Sequence, residues 1–414
     1  MASLQPVRGT HDLLPEEARR ARHLTDTGRL LAERYGYEEA ATPIFEFSEV
    51  FARTLGETSD IVTKEMYTFT DKGGDQITLR PEGTAGIARA LISGGLSQNL
   101  PLKFFYAGPM FRYERPQKGR LRQFHQIGVE LLGVAEPIGD IEVIALGAAI
   151  LDELGVQGNT TLELNTLGNT ESRTAYRDVL IEYFGDHRGN LSEDSQTRLE
   201  RNPLRILDSK NEGDRAIVAG APEFDDSLDG ESREFFAEVC AGLDALGIAW
   251  QRNSRLVRGL DYYCHTAFEF TTDALGAQSA VLAGGRYDGL VGQMGGPATP
   301  GVGWASGIER LSMLIGDGPE KPRSIAIIPL GDAAESLALT LTDELRRAGI
   351  AVDLGYRGKM KQRMKRANGI NARAAVIIGD DELEQSSATL RDLDSGEQEL
   401  VPLADLRHRL EQFR

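Results

Sequence analysis

Five basic side chains, Arg112, Arg115, Lys118, Arg120 and Arg122, fall within eleven residues that hold a single acid, Glu114. Guanidinium and ammonium groups at that density suit a polyanion, because each can give a charge-assisted hydrogen bond to a phosphate oxygen. The chain returns from this segment through Phe124, Gln126, Gly128 and Glu130, which alternate with Ile127, Val129 and Leu131. A period of two puts the two sets on opposite faces of a strand. The aliphatic set is a core face. The other set joins an aromatic ring, an amide, a gap and a carboxylate; an unpaired buried polar group costs about 1–3 kcal/mol, so this face is better suited to gripping a small polar ligand.

Further residues of this kind lie far away in sequence. In QITLRPEGTAGIARALIS (76–93), a short strand turns at Pro81–Gly83 into a helix starting near Thr84. Glu82 and Thr84 thus sit at a strand-to-helix junction, where they can accept an amino acid's ammonium group. Helix capping by Thr84 and a dipole interaction of Glu82 explain the same residues. Arg258 stands before Gly259 in the strand-like SRLVRGLDYYCHTAFEF (254–270), ahead of Tyr262 and Tyr263. A buried arginine needs an anionic partner, either a ligand or an internal carboxylate such as Asp261 or Glu269. AGGRYDGL (283–290) offers a glycine-rich turn before Tyr287, and GVGWASGIERL (301–311) a strand leading through small residues to a helix bearing Arg310. A guanidinium there can stack on a base. No GxxxxGK[ST] phosphate loop occurs in the chain.

These residues need a large scaffold, and 414 residues suffice for two or three domains. No apolar run approaches the roughly 20 residues of a membrane span, and MASLQPVRGTHDLLPEE has no secretory pattern, so a soluble cytoplasmic protein is expected. Two cysteines, Cys240 and Cys264, argue against a disulfide framework, and six scattered histidines argue against a structural zinc site. The net charge of -17 opposes nucleic-acid binding in general. Its distribution does not: RGKMKQRMKRANGINAR (357–373) holds seven basic residues and no acid, either a docking patch for nucleic acid or a solvated helix face.

The elements follow from start and stop signals. Asp12, Pro15, Glu16 and Glu17 open a helix that stops at Gly36, with Leu24, Leu30 and Leu31 facing a core or a partner. GYEEAATPIFEF is strand-like around Pro43, an edge or loop proline on its own terms. Residues 140–154 are helical and 161–169 a strand with a turn; about 170–250 is a charged helical module with no catalytic signal. GDGPEKPRS (316–324) is a linker, and the alternation of strands and helices beyond it predicts a small α/β domain.

RPQKGR followed by QFHQIGVE resembles motif 2 of the class II aminoacyl-tRNA synthetases, in the form found in the histidyl-tRNA synthetase family. The Pro43 region resembles motif 1, GVGWASGIERL motif 3, and RPEGT and RGLDYY the histidine-binding signatures. The resemblance implies an α+β catalytic domain with a mostly antiparallel sheet flanked by helices over 1–320. It also implies a helical insertion at 170–250 that meets the tRNA acceptor arm, and an anticodon-binding α/β domain at 323–414. It implies ATP as substrate with Mg2+ on its phosphates, L-histidine and tRNA(His) as the other substrates, and a homodimer. Arg112 and Arg258 would approach the α-phosphate and the amino-acid carboxylate, Arg120 and Arg310 the γ-phosphate, and Phe124 would stack on the adenine opposite Arg310, with Glu114 also at the nucleotide. Glu82, Gly83, Thr84, Gln126, Glu130, Tyr262, Tyr263 and Tyr287 would form the histidine pocket. Glu130 can bond an imidazole N–H that a phenyl ring lacks. Arg115 and Gln117 match positions that read the extra 5′ guanosine of histidine tRNA.

Two rival readings remain. A non-catalytic, histidine-sensing paralogue would lack the anticodon domain and degrade the arginine signatures, and a class II synthetase of another specificity would lack RGLDYY. KMKQR in the C-terminal region is similar to the lysine loop of class I synthetases, but no HIGH partner accompanies it.

Overall fold

The computed structural model describes residues 4–54, 61–207, 209, 211–257, 262–276 and 280–413. Arg258, Gly259 and Asp261 lie outside the described residues. The chain divides into two compact units, Met1–Pro319 and Glu320–Arg414.

The first unit starts with α1 (Pro15–Arg34), which has its proline and two glutamates in the first turn and is followed by Gly36 at φ +81. Leu24 and Leu31 are buried, whereas Leu30 is exposed. The stretch expected as a strand around Pro43 is instead shared between two sheets: β1 (Glu38–Glu39) joins the large one and β2 (Phe45–Phe47) a small one. Proline has no N–H to give to a ladder, so the break falls there. After α2 (Ser48–Ala52), β3 (Tyr67–Thr70) and β4 (Gln76–Leu79) complete the small sheet in the order β2-β4-β3. Then come α3 (Thr84–Ser93), the long hairpin β5 (Leu102–Phe111) and β6 (Gln123–Leu132), α4 (Pro137–Glu153) and β7 (Thr161–Thr166).

Residues 170–250 are helical: α5 (Thr170–Asp186), α6 (Glu193–Arg201), α7 (Glu212–Val218) and α8 (Gly230–Ala245). The module's own core, from Tyr176 to Leu228, stops short of α8. Val239 and Leu243 of α8 enter the main core beside Val143 and Ile144 of α4, so the last helix of this stretch packs on the large sheet's core. A carboxylate holds the module together: Asp214 accepts from the hydroxyls of Ser192, Ser195 and Ser209 at 2.6 Å each.

The remaining strands are β8 (Trp250–Arg252), β9 (Cys264–Thr271), β10 (Ala280–Arg286) and, after α9 (Leu290–Gln293), β11 (Gly301–Gly307), which runs into α10 (Ile308–Leu314). The eight-stranded sheet has the order β1-β5-β6-β11-β10-β9-β7-β8 and is antiparallel except for its outermost pairs. One face, with Ile127, Val129, Leu131, Phe268 and Trp304, packs under α1, α4 and α8. The opposite face of β6 carries Gln126 and Glu130.

In the second unit, β12 (Ile325–Pro329), α11 (Asp332–Arg347), β13 (Val352–Leu354), α12 (Met360–Gly369), β14 (Ala374–Ile378), α13 (Asp380–Glu384), β15 (Ser387–Asp392), β16 (Gln398–Pro402) and α14 (Leu403–Leu410) build a five-stranded sheet in the order β13-β12-β14-β15-β16. The basic segment divides. Arg363 is buried, donating to Gly358 O and Glu335, and Arg366 pairs with Asp353 at 2.8 Å. Arg357, Lys359, Lys361 and Lys365 stay exposed.

Candidate active site

The basic cluster in the β5–β6 loop is sorted by the fold. Arg122 serves the loop itself, its guanidinium 3.9 Å from the Tyr113 ring and donating to Glu114 O. A tight turn, with Gln117 N–H bonded to Arg120 O at 3.0 Å and the reverse bond at 2.9 Å, holds Arg115, Gln117 and Lys118 out in solvent. Gly119 sits in it at φ +74, a conformation that costs glycine nothing. Arg112 and Arg120 turn into a cavity of about 270 Å³.

Residues distant in sequence meet in this cavity. Its wall includes Glu82 and Thr84 from the start of α3, Glu114, Phe124 and Gln126 from the hairpin, Tyr262 and Tyr263 ahead of β9, and Arg310 from α10. Arg112 crosses the middle, with Nε donating to Pro81 O at 2.9 Å and its guanidinium 5.3 Å from the centre of the Phe124 ring. Arg120 pairs with Glu114 at 3.2 Å. Burial, and then the proximity of Arg120, lowers the proton affinity of Arg310. Glu269 and then Glu114 act in the opposite sense on Arg310.

The side chains around Glu130 are arranged differently. The strand pattern had suggested that its face was unsuited to burial; Glu130 is nevertheless fully buried. It is tolerated because Thr84 Oγ1 donates to Oε1 at 2.6 Å and the Tyr287 hydroxyl donates to Oε2. Burial still dominates and pushes its carboxyl up to about 8. Glu82 is also raised by burial, although its oxygens accept the N–H groups of Thr84 and Ala85 at 2.6 and 2.8 Å. Glu82 therefore caps α3, while the Thr84 hydroxyl is spent on Glu130. Glu130 and Tyr287 support the cavity from behind rather than lining it. Gln126 is part of the lining, and its buried Oε1 has no hydrogen-bond partner. An acceptor in that position calls for a donor on a ligand.

Small residues make room for these groups. A Cβ on Gly303 would overlap the Glu130 carboxylate, and one on Gly83 or Gly128 would enter the Tyr106 ring. Gly284 and Gly285, expected in a turn, lie inside β10. A side chain at Gly284 would strike the Gly303 carbonyl, and one at Gly285 would come within 2.8 Å of Tyr263. Tyr263 is also held by Arg173, which donates to its carbonyl oxygen at 2.7 Å, and its ring lies 4.6 Å from that of Tyr262.

Several supporting residues carried no signal in the sequence. Arg80 is buried and donates to the carbonyl oxygens of Pro109 and Thr42, both at 2.9 Å, tying the Glu82 turn to the hairpin. Arg286, paired with Asp140 where both are fully buried, anchors the chain just before Tyr287. Tyr106 of β5 is buried against Gly83 and Gly128.

Strand order, the motif 2 hairpin and a cavity shared by Arg112 just after β5, Arg120 of the loop and Arg310 of α10 define a class II aminoacyl-tRNA synthetase. The family model for histidyl-tRNA synthetase matches residues 9–174 and 189–311, and the model for an anticodon binding domain matches 324–413. The chain belongs to the histidyl-tRNA synthetase family. It is 63% identical to the histidine–tRNA ligase of Rhodospirillum rubrum over the full length of both chains. A solved histidyl-tRNA synthetase of S. aureus matches with a TM-score of 0.84 and 37% identity, covering 98% of this chain and 99% of that one. A structure from Bacillus halodurans, described as an ATP phosphoribosyltransferase regulatory subunit/histidyl-tRNA synthetase, shares the fold at 23% identity, with a TM-score of 0.65 over 92% of this chain and 99% of that one.

Proposed function

We propose that this chain activates L-histidine with ATP and transfers it to the 3′ end of tRNA(His). The observation that carries the reading is the single cavity shared by Arg112, Arg120 and Arg310 with Glu82, Thr84, Gln126 and the tyrosine pair. In the first step a histidine carboxylate oxygen attacks the α-phosphorus and the bond to the β-phosphate breaks, releasing pyrophosphate. In the second, a terminal ribose hydroxyl attacks the acyl carbon and AMP leaves. Charge gathers on oxygens in both steps, so the protein's task is positioning and electrostatic stabilisation.

Arg112 holds the α-phosphate and the attacking carboxylate, and Arg120 and Arg310 the γ-phosphate. Phe124 offers its face to the adenine. Gln126 and Glu82 receive the α-ammonium, with Glu130, Thr84 and Tyr287 behind the imidazole and Tyr262 and Tyr263 beside it. Arg258 takes its place at the α-phosphate by resemblance alone. Glu114 and Glu269 line the cavity and act electrostatically on Arg310, and no trio of metal-ligating side chains occurs among the described residues. That donor set fits a magnesium ion held mainly by the phosphates, where it would neutralise charge.

The exposed Arg115 and Gln117 meet the 5′ end of the tRNA, the helical module its acceptor arm, and Arg357, Lys359, Lys361 and Lys365 the anticodon stem. Exposed Ile44, Phe45, Phe47 and Phe69 on and beside the small sheet support a homodimer through the motif 1 region. We set this activity in the cytoplasm, where ATP, histidine and tRNA are all available. No helix among the described residues is long and apolar enough to cross a membrane. ATP–pyrophosphate exchange with each amino acid in turn tests the reading: histidine alone should support exchange, and activity with another amino acid, or with none, would overturn it.

A further inference from the structure

The pairing of β11 with β6 ends at Gly307 opposite Gln126, because the chain turns into α10 at Ile308. The next backbone N–H on that side of β6, from His125, is left without a strand partner. Glu309 in the first turn of α10 replaces the strand. Its Oε1 and Oε2 accept the His125 N–H at 2.9 and 3.0 Å, and Oε1 lies 2.9 Å from the ring Nδ1 of the same histidine. Both side chains are mostly buried. Phe124 and Gln126, on either side of His125, line the cavity, as do Arg310 and Glu309 itself, whereas His125 does not.

We infer that His125 and Glu309 are a positioning pair for the nucleotide, fixing the gap between the ring of Phe124 and the guanidinium of Arg310. This rests on the proposed reading that these two groups flank the adenine. The helix is only seven residues long and has no side-chain cap of its own. A charge-assisted bond to a rigid strand, drawn from the residue beside Arg310, fixes its first turn instead.

The test is steady-state ATP–pyrophosphate exchange by the full-length protein and three variants. Glu309→Gln should raise KM for ATP about tenfold, the loss expected for a hydrogen bond to a charged group, while KM for histidine stays within about twofold. His125→Asn, which keeps a donor near the position of Nδ1, should remain close to wild type, whereas His125→Phe should shift in the same direction as Glu309→Gln. Equal rises in both KM values, or an unchanged KM for ATP, would overturn the inference. If Glu309→Gln does not fold, the histidine variants decide: Asn and Phe behaving alike overturns it, and Asn alone retaining wild-type ATP affinity supports it. A wild-type protein without histidine-dependent exchange would instead overturn the functional reading on which the pair depends.

Discussion

The two halves of the cavity are built on opposite principles. Around the position proposed for the imidazole, Glu130 accepts hydrogen bonds from Thr84 and Tyr287, and two glycines keep the space behind them clear for Tyr106. Around the position proposed for the triphosphate, Arg120 and Arg310 are close enough to act on each other, with Glu269 and Glu114 as counter-charges. The first half is hydrogen-bonded within itself; the second is a balance of like and unlike charges. The contrast follows from the tasks. Discriminating histidine from other side chains requires buried polar groups whose geometry is set in advance. Holding a triphosphate whose charge shifts during reaction requires strong charges aimed at where negative charge grows.

Removing a cation from the phosphate half should have the largest effect. Arg112→Ala is expected to slow adenylate formation by about 100- to 1000-fold, in the range of losing one oxyanion-stabilising donor, with the melting temperature little changed. Arg258→Ala should behave likewise, and near-normal exchange by either variant would show that the arginine at that position is not at the reacting phosphate.

A change in the other half should show up as a pH effect. The folded carboxyl of Glu130 titrates at about 8 against an ordinary value of 4.5. The folded protein thus keeps a proton that the unfolded chain has released, and stability falls as pH rises through that window. Thr84 and Tyr287 already donate to both oxygens, so an imidazole N–H is best accepted by the ionised form. We expect kcat/KM for histidine to rise with pH through a limb near 8, and Glu130→Gln to lose that limb and about tenfold in histidine affinity. The same variant should melt higher than wild type above that pH. An unaltered pH profile would remove Glu130 from the histidine site.

A smaller effect is expected where the protein reads the tRNA end. A transcript lacking the extra 5′ guanosine should be charged roughly ten- to hundredfold less efficiently, and Arg115→Ala should erase most of that difference, since a bidentate contact to guanine is worth about 1–3 kcal/mol. Equal charging of both transcripts would take Arg115 and Gln117 out of tRNA recognition.

The two halves were not equally legible in the sequence. The basic cluster was visible in the sequence, although only Arg112 and Arg120 of its five cations turn into the cavity, and the period of two from Phe124 to Leu131 told the polar face of β6 from its aliphatic one. The architecture of the histidine half could not be read in that way. Glu130 is satisfied by Thr84, 46 residues before it, and by Tyr287, 157 residues after it, so nothing local explains its burial. Gly284 and Gly285 looked like a turn because glycine signals one locally; the space they provide is demanded by Tyr263 and by the neighbouring strand. The charged residues of α8 hide Val239 and Leu243, whose burial depends on α4. In each case the missing information was a partner brought near by topology rather than by spacing.

Gly83 gives the finest test of the contrast. Family resemblance puts it at the histidine, whereas the packing gives it a different duty: a methyl group there would enter the Tyr106 ring, which a second glycine, Gly128, also accommodates. If the histidine half is complete in advance, Gly83→Ala should act by displacing Tyr106 and, through it, the start of α3, where Glu82 and Thr84 reside. Overpacking of this kind costs about 1–3 kcal/mol, and we expect a several-fold rise in KM for histidine with KM for ATP unchanged. Combining it with Tyr106→Leu, which removes the obstructing ring, should recover part of the loss, giving a favourable coupling of about 0.5 kcal/mol or more in a double-mutant cycle. Additive losses would mean that Gly83 contacts the amino acid directly, and a loss of ATP affinity of the same size would mean that the two halves are mechanically one.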